Sequence, residues 1–223
     1  MKNVFRKKSH RLVVALCAIT FSFITLPTQA ALISVLGGLA FYDDAADLTW
    51  LADANAAKTL NYDQDGKMTT VDAATWLAGL NVSGVTGWRL AVTLRPDSGC
   101  NGIGGGTDTG YGCSGSELGN MFYNVLGGQN LSLIADVHNA NYDLFTNIQS
   151  DRYWSSTQSQ YNPTWQDYFN SKNMYQSSSP TVTHVNYVWA VKSGNVSALP
   201  VPVPPTVWLF GIGLVVMGWR KAA

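Results

Sequence analysis

The 223-residue chain is poor in histidine and in the short motifs that build hydrolytic active sites. It contains three histidines, and only His138 and His184 lie beyond residue 30. Neither stands in a spacing typical of metal ligands, and no Gly-x-Ser-x-Gly or His-Glu-x-x-His motif occurs. Asp43 and Asp44 leave a glycosidase pair open as an alternative, although a solvated acidic turn explains them more simply. We therefore predict a protein without enzymatic activity.

The chain also lacks an apolar run of the ~20 residues that a permanent membrane-spanning helix needs. Two shorter apolar runs lie near the ends, at residues 12–26 and 207–219. The first follows a basic segment and precedes Thr28-Gln29-Ala30, whose small residues suit a cleavage site. This order is typical of a secretory signal peptide over residues 1–30, cut after Ala30. It implies the Sec export machinery and signal peptidase as partners.

The second apolar run belongs to a three-part tail over residues 199–223. The proline motif Val201-Pro202-Val203-Pro204 precedes the run, and the basic pair Arg220-Lys221 follows it. As a helix the run would reach only ~20 Å, which is short of the ~30 Å hydrocarbon core. The basic pair is expected to stay on the cytoplasmic side. Two interpretations are open: a short permanent anchor, or a sorting signal that is held in the membrane transiently and then cut.

This tail resembles the PEP-CTERM sorting tail of Gram-negative bacteria. The likeness rests on the order and spacing of Val-Pro-Val-Pro-Pro-Thr-Val-Trp-Leu-Phe-Gly-Ile-Gly-Leu and on the Arg-Lys pair after it. It implies that an exosortase, a membrane cysteine protease, cuts near residues 201–204 and releases the protein to the cell surface or the extracellular matrix. We therefore divide the chain into a signal peptide (1–30), an exported domain (31–198) and a sorting tail (199–223).

Basic residues are scarce in the exported domain, although the whole chain is formally neutral. Of the 14 Lys and Arg residues, five lie in the signal peptide and two in the sorting tail, whereas all 14 Asp and Glu residues lie between these segments. The exported domain thus carries a formal net charge of −7. Such a charge disfavours nucleic acid and anionic polysaccharide as partners and suits cations.

Cysteine is equally scarce, and the two cysteines of the exported domain predict a disulfide. Cys17 lies in the signal peptide, which leaves Cys100 and Cys113 as an even pair in an oxidising compartment. The residues between them are rich in glycine and would not hold one shape by themselves. We expect the disulfide to close this loop with ~3 kcal/mol of stabilisation. No Lys-Ser or Lys-Thr follows these glycines, which argues against a phosphate-binding loop.

Helix-like and strand-like patterns divide the exported domain into two halves. Residues 71–80 place apolar side chains at helical spacing. Ser114 and Glu117 resemble a capping box that opens a second helix, which ends at Gly127-Gly128. Three later segments alternate with a period of two, as strands do: 152–156, 164–169 and 185–192. We predict a single α+β domain with helices in the first half and short antiparallel strands in the second.

Residues 61–72 resemble a calcium-binding loop. In an EF-hand, oxygens at positions 1, 3, 5, 7, 9 and 12 hold the ion, and glycine at position 6 permits the sharp turn. Gly66 occupies position 6 of such a loop counted from Asn61. The six ligand positions are then Asn61, Asp63, Asp65, the Lys67 carbonyl, Thr69 and Asp72. The alternative is a polar turn in which Asp72 or Thr70 caps the helix that follows.

The interior resembles the C-terminal domain family of the Legionella collagen-like proteins over roughly residues 40–193. The likeness rests on an ordered set of short motifs: Asp47-Leu48-Thr49-Trp50-Leu51, Met68-Thr69-Thr70-Val71-Asp72-Ala73, Gly87-Trp88-Arg89-Leu90, Ser116-Glu117-Leu118, Tyr153-Trp154-Ser155-Ser156-Thr157 and Tyr187-Val188-Trp189-Ala190-Val191-Lys192. It implies a fold distantly similar to C-type lectins and a role in adhesion. The founding member adheres to sulfated polysaccharides, but the acidic charge of this domain predicts a different ligand.

These observations predict an exported, non-catalytic binding or adhesion protein of the cell surface or biofilm matrix. The expected ligand is extracellular polysaccharide, and the expected ion is calcium. A purely structural matrix component and an extracellular polysaccharide hydrolase are the alternatives. Four aromatic residues are candidates for stacking on sugar rings, although burial in the core would explain each of them as well: Trp165, Tyr168, Tyr175 and Tyr187.

Overall fold

The computed structural model describes residues 31–103, 105–106 and 108–198. Both predicted processing segments lie outside the described residues, and with them the residues assigned to cleavage and sorting: Ala30, Val201, Pro202, Val203, Pro204, Arg220 and Lys221. The described part combines two β-sheets with a few short helices, so the predicted mixture of helix and sheet in one domain is confirmed.

Three strands near the start of the domain build most of the first sheet. Strands β1 (Leu32–Val35), β2 (Ala40–Asp43) and β3 (Leu48–Leu51) form an antiparallel meander. The fourth strand, β10 (Val191–Ser193), comes from the other end of the domain and pairs with β3 in antiparallel fashion. The sheet order β1-β2-β3-β10 therefore holds the two ends of the domain together.

The second sheet has six strands and draws mainly on the last third of the domain. Along the chain these are β4 (Lys67–Met68), β5 (Gly110–Tyr111), β6 (Arg152–Gln158), β7 (Trp165–Asn170), β8 (Tyr175–Pro180) and β9 (Asn186–Tyr187). Their spatial order is β4-β9-β6-β7-β8-β5, and every pair is antiparallel except β6 with β9. The short β4 attaches the loop at residues 61–72 to the edge of this sheet.

The helices are short and lie before the β6–β8 meander. Helix α1 (Ala56–Thr59) is a single turn, α2 (Thr70–Gly79) is the longest, and α3 (Glu117–Gly119) continues directly into a π-helix at Asn120–Val125. Three 3-10 turns complete the set: Leu36–Gly38, Ala140–Leu144 and Val196–Ala198.

The helix predicted at residues 71–80 is confirmed within one residue at each end, whereas the capping box at Ser114 is wrong. Helix α3 is capped by Ser116, whose Oγ accepts from the Gly119 N–H at 3.1 Å. The Glu117 carboxylate does not return to the helix start. It bonds Arg89 and the Val92 N–H instead, because tertiary packing brings these stronger donors to it.

The strand predictions are correct for β6 and β7 but incomplete elsewhere. Strand β8, with the sequence Tyr-Gln-Ser-Ser-Ser-Pro, is too polar to stand out from a turn by its sequence. The segment predicted at 185–192 divides into β9 and β10, which belong to different sheets. The three strands before α1 have no counterpart in the sequence prediction, so the first half of the domain is not purely helical.

One aromatic core joins both sheets and the π-helix that follows α3. The Trp189 ring meets Trp50 of β3, Phe122 of the π-helix and Tyr153 of β6 at centroid distances of 5.3 to 5.9 Å. Its indole N–H donates to the Leu51 carbonyl at 2.8 Å, so the buried nitrogen is satisfied. This packing ties the first sheet to the second and fixes where the loops between them emerge.

Candidate binding site

The acidic loop, residues 61–72, connects α1 to α2 along one edge of the second sheet. Helix α1 is followed by a left-handed residue, Asn61 with φ 56°, and the N–H groups of Tyr62 and Asp63 both donate to the Ala57 carbonyl. Asparagine tolerates this conformation better than most residues, so it suits the end of a helix. The loop therefore starts from a fixed backbone geometry.

Two carboxylates shape the turn of the acidic loop. Asp63 Oδ1 accepts from the N–H groups of Asp65 at 3.0 Å and Gly66 at 2.8 Å, and Asp65 Oδ1 accepts from the Lys67 N–H at 2.9 Å. The Lys67 N–H, together with a side-chain contact to Asp63, holds the pKa of Asp65 below its ordinary value. Asp65 is therefore ionised at neutral pH beside a second carboxylate, which is an arrangement that suits a cation.

Asn55 supports the acidic loop from beneath. Its side chain is buried, and Nδ2 donates to the Asp65 carbonyl at 3.2 Å, whereas Oδ1 has no hydrogen-bond partner in the part of the chain that the structure describes. A Cβ on Gly66 would lie 1.8 Å from this Oδ1, and Gly66 has a φ of 84°. Glycine is required here both for its backbone conformation and for the close approach of Asn55.

Thr69 and Asp72, the last two predicted calcium ligands of the acidic loop, lie at the start of α2 and stabilise it. Thr69 Oγ1 accepts from the Asp72 N–H at 3.3 Å, and it donates to Asp72 Oδ2 at 2.7 Å. The alternative to calcium binding in the sequence was helix capping by Asp72 or Thr70. Thr69 and Asp72 do take part in helix capping, but the capping residue is Thr69. The described residues contain no cluster of three or more His, Cys, Asp or Glu able to hold a metal. Calcium binding stays a prediction that rests on Asp63, Asp65 and the orphaned Asn55 Oδ1.

Lys67 anchors the acidic loop to the second sheet by pairing with Asp151 and not with a carboxylate of the loop itself. Lys67 Nζ lies 2.7 Å from Asp151 Oδ2 and 4.9 Å from the centroid of the Tyr187 ring. The hydrogen bond from Lys67 Nζ to Asp151 raises the pKa of Lys67. Burial disfavours the charged form of Asp151, but Lys67 and the Arg152 N–H outweigh it and lower the pKa of Asp151.

A cleft of about 440 Å³ opens beside the acidic loop, between α1 and the end of α2. We call it the tyrosine cleft, because the half-exposed ring of Tyr62 forms one wall. The buried Trp76 ring lies 6.2 Å from the Tyr62 ring at an angle of 42°. Eight residues line the cleft: Leu60, Asn61, Tyr62, Thr75, Trp76, Gly79, Leu80 and Asn81.

A second cleft, of about 640 Å³, lies on the other side of α2. Trp88 and Arg89 line it, but the Trp88 ring is buried and the Arg89 guanidinium is occupied. Two Arg89 nitrogens bond the two Glu117 oxygens at 2.7 Å each, and Nη2 also reaches Ser193 Oγ. This cleft therefore presents mainly aliphatic helix surface to a ligand.

The aromatic residues singled out in the sequence do not form an exposed stacking surface. Tyr168 is buried, and Trp165, Tyr175 and Tyr187 are only partly exposed. The half-exposed Tyr62 and the largely exposed Tyr161 were missed, because aromatic residues inside polar loops carry no periodic signal. Tyr161 Oη donates to Asp108 Oδ2, and its ring faces Arg95 at 5.8 Å.

The two carboxylates considered as a glycosidase pair, Asp43 and Asp44, lie in different environments. Asp43 is fully buried, its Oδ1 accepts from the N–H groups of Ala45 and Ala46, and burial raises its pKa. The adjacent Asp44 is exposed. His138 stacks on the ring of the nearby Tyr142, and His184 contacts its neighbour Thr183.

The predicted disulfide between Cys100 and Cys113 is present. It closes what we call the disulfide loop, residues 100–113, at the base of which the buried Asp97 accepts three backbone N–H groups. Arg95, two residues earlier, forms a buried ion pair with Asp167 of β7, which also accepts from Thr93 Oγ1. No sequence pattern indicated this pair.

No family model, curated protein or solved structure matches the chain. Among the described residues, no helix combines the length and the hydropathy needed to cross a membrane.

Proposed function

We propose that this chain is an exported, exosortase-processed protein of the cell surface or biofilm matrix, whose domain binds extracellular polysaccharide without catalysis. The observation that carries the export proposal is the Cys100–Cys113 disulfide, because such bonds persist in oxidising compartments outside the cytoplasm. The signal peptide and sorting tail predicted from the sequence agree with it. Their partners would be the Sec machinery, signal peptidase and an exosortase, with the membrane as a transient anchor.

Mass spectrometry of the protein from producing cells tests the processing. We expect mature protein that begins after Ala30 and lacks residues 207–223. Deletion of the exosortase gene should retain the tail, and Pro202→Ala with Pro204→Ala should slow its removal. Intact tails in cells with an active exosortase would mean that the tail is a plain anchor.

The tyrosine cleft supports binding as the domain's activity, because it exposes an aromatic ring and amide groups on an acidic, otherwise well-packed domain. A glycan array with the processed protein tests this activity. Binding with dissociation constants below millimolar is expected for uncharged polysaccharides. A flat array together with clean self-assembly would favour a purely structural matrix protein.

We further propose that the acidic loop binds calcium weakly, through Asp63 and Asp65. Extracellular modules of this kind bind calcium with dissociation constants of about 10⁻⁴–10⁻³ M. Calcium at ~10 mM should therefore raise the melting temperature over that in EDTA, because a ligand bound only by the folded state stabilises it.

The variant Asp63→Ala/Asp65→Ala should abolish that calcium-dependent rise. The matched control is Asp136→Ala/Asp143→Ala, which removes the same charge from two exposed positions outside the loop and should keep the rise. A melting temperature that calcium leaves unchanged in the native protein would rule out the site.

A further inference from the structure

We propose that the tyrosine cleft is a subsite for an uncharged sugar unit, with the apolar face of the sugar against Tyr62 and its hydroxyls on Asn61 and Asn81. This inference rests on the polysaccharide-binding function proposed above and names the place and the chemistry of recognition. Four features of the cleft carry it: its aromatic wall, its free amides, its lack of charge and its open floor.

The wall of the cleft is an aromatic surface that folding leaves accessible. Tyr62 is 47% exposed, whereas Trp76 behind it is 5% exposed and tilted against it. Among the described residues, Tyr62 Oη donates a single hydrogen bond, a long one of 3.5 Å to the Asp72 carbonyl. A tyrosine presents an apolar body with a polar tip, and this combination suits the C–H face and the hydroxyls of a sugar.

The rim of the cleft offers both hydrogen-bond donors and acceptors. Within the described residues, the Asn61 side chain has no hydrogen-bond partner, and its position is set by the backbone of the α1 terminus. Asn81 uses Oδ1 to accept from the Gly84 N–H at 2.8 Å, which leaves Nδ2 facing solvent as a donor. A planar amide can donate to one sugar hydroxyl and accept from its neighbour.

The uncharged lining of the cleft and the negative charge of the domain together favour an uncharged sugar as the ligand. None of the residues that line the cleft carries a formal charge. The surrounding domain is net negative, so uronic or sulfated sugars would be repelled over a long range. An uncharged hexose unit needs no charged partner in the cleft and is not repelled by the negative domain. The cleft volume of about 440 Å³ lies within the ordinary range for small-ligand sites.

Gly79 forms the open floor of the cleft, and a larger side chain at this position would fill the cleft. It is the last residue of α2, and a Cβ at this position would meet nothing within 4 Å. Gly79→Leu should therefore fill the cleft without disturbing the core, and its melting temperature should equal or exceed that of the native protein. Asn61→Gly is the second mild variant, because glycine readily adopts the left-handed conformation found there.

The experiment measures binding of the processed protein to neutral hexose tetramers and to tetragalacturonate, by array and then by calorimetry, in calcium and in EDTA. The native protein should bind one or more neutral tetramers and not tetragalacturonate. Gly79→Leu and Tyr62→Ala should each weaken binding about ten-fold or more, and Asn61→Gly should weaken it by a smaller factor. Tyr161→Ala, which removes an exposed ring outside the cleft, should bind as the native protein does.

The outcomes separate this inference from the function on which it rests. Neutral tetramer binding that survives both Gly79→Leu and Tyr62→Ala would place the sugar elsewhere, for example in the cleft on the other side of α2, and would leave the binding function intact. A native protein that binds no tetramer overturns both. Preference for tetragalacturonate overturns the charge argument.

Discussion

The acidic loop and the disulfide loop are two irregular segments of similar length that are held in different ways. The acidic loop is fixed by short-range hydrogen bonds from Asp63 and Asp65 to N–H groups two or three residues away. The disulfide loop is rich in glycine and depends on a covalent bond, with the buried Asp97 and the Arg95–Asp167 ion pair at its base. Local polar groups shape a loop where they can reach its backbone, and one ion pair then anchors it to the sheet, whereas a glycine-rich loop has few such groups and is closed by a covalent bond.

The largest effect is expected at the base of the disulfide loop. Asp167→Ala leaves the buried Arg95 guanidinium without its carboxylate, and breaking a buried pair costs about 3–5 kcal/mol. Denaturant unfolding of the native and variant proteins measures the loss. The paired variant Arg95→Met/Asp167→Leu should recover most of it, because no uncompensated charge is left. A loss below ~1 kcal/mol for Asp167→Ala would show that water reaches Arg95.

Opening the disulfide should have the next largest effect. Reduction, or Cys100→Ser with Cys113→Ser, should lower the free energy of unfolding by about 3 kcal/mol, since the unfolded chain regains the entropy of a closed loop. Thermal unfolding with and without reductant measures this change. The double serine variant should be insensitive to reductant, and equal stability of the native protein in both conditions would contradict the assignment.

Within the acidic loop the largest effect should come from glycine and not from the carboxylates. Gly66→Ala places a methyl group on Asn55 Oδ1 and forces a left-handed φ on alanine, so we expect a loss of about 1–3 kcal/mol. The matched control Gly79→Ala, at the helix end with open space around it, should be neutral or stabilising by up to ~1 kcal/mol. Chemical denaturation of both variants would reveal whether the loop tolerates the methyl group.

The smallest effect concerns the ion pair that ties the acidic loop to the second sheet. The pKa of Asp151 is lower in the folded than in the unfolded state, so its contribution is present above the unfolded value and is lost as the pH falls below ~4. The pair is partly exposed, and we expect at most ~1 kcal/mol. Stability measured from pH 3 to 6 should vary less steeply in Asp151→Asn, and an unchanged slope would assign the pH dependence to other carboxylates.

The predictions from the sequence agree with the structure where the deciding interactions are short in range, and they fail where those interactions are long in range. Helix α2 and the disulfide could be predicted, because apolar spacing within ten residues and the even cysteine pair carry enough information. Strand β8 could not, since its polar sequence becomes a strand only through its neighbours β7 and β5. Glu117 does not form the predicted capping box, because it pairs with Arg89, which lies beside it in the fold.

The candidate site divides in the same manner. The acidic loop was visible as a motif, and the structure assigns Thr69 and Asp72 to helix capping. The tyrosine cleft was not visible, because Leu60, Trp76 and Asn81 line a common surface only in the folded chain. A cleft forms where packing leaves part of a helix or loop surface uncovered, whereas the pattern of a single sequence shows only which face of a helix or strand is apolar.

The sequence alone determined the properties that depend on composition and short spacing: the acidic balance of the domain, the even pair of cysteines, the Gly66 turn and the segments expected to direct export. Only the tertiary structure decided the division of the strands between two sheets, the burial of Arg95 with Asp167 and the exposure of Tyr62 beside Trp76. The physical reason is that burial and pairing are properties of surfaces in contact, and residues as far apart in sequence as Arg95 and Asp167 meet only in the folded chain.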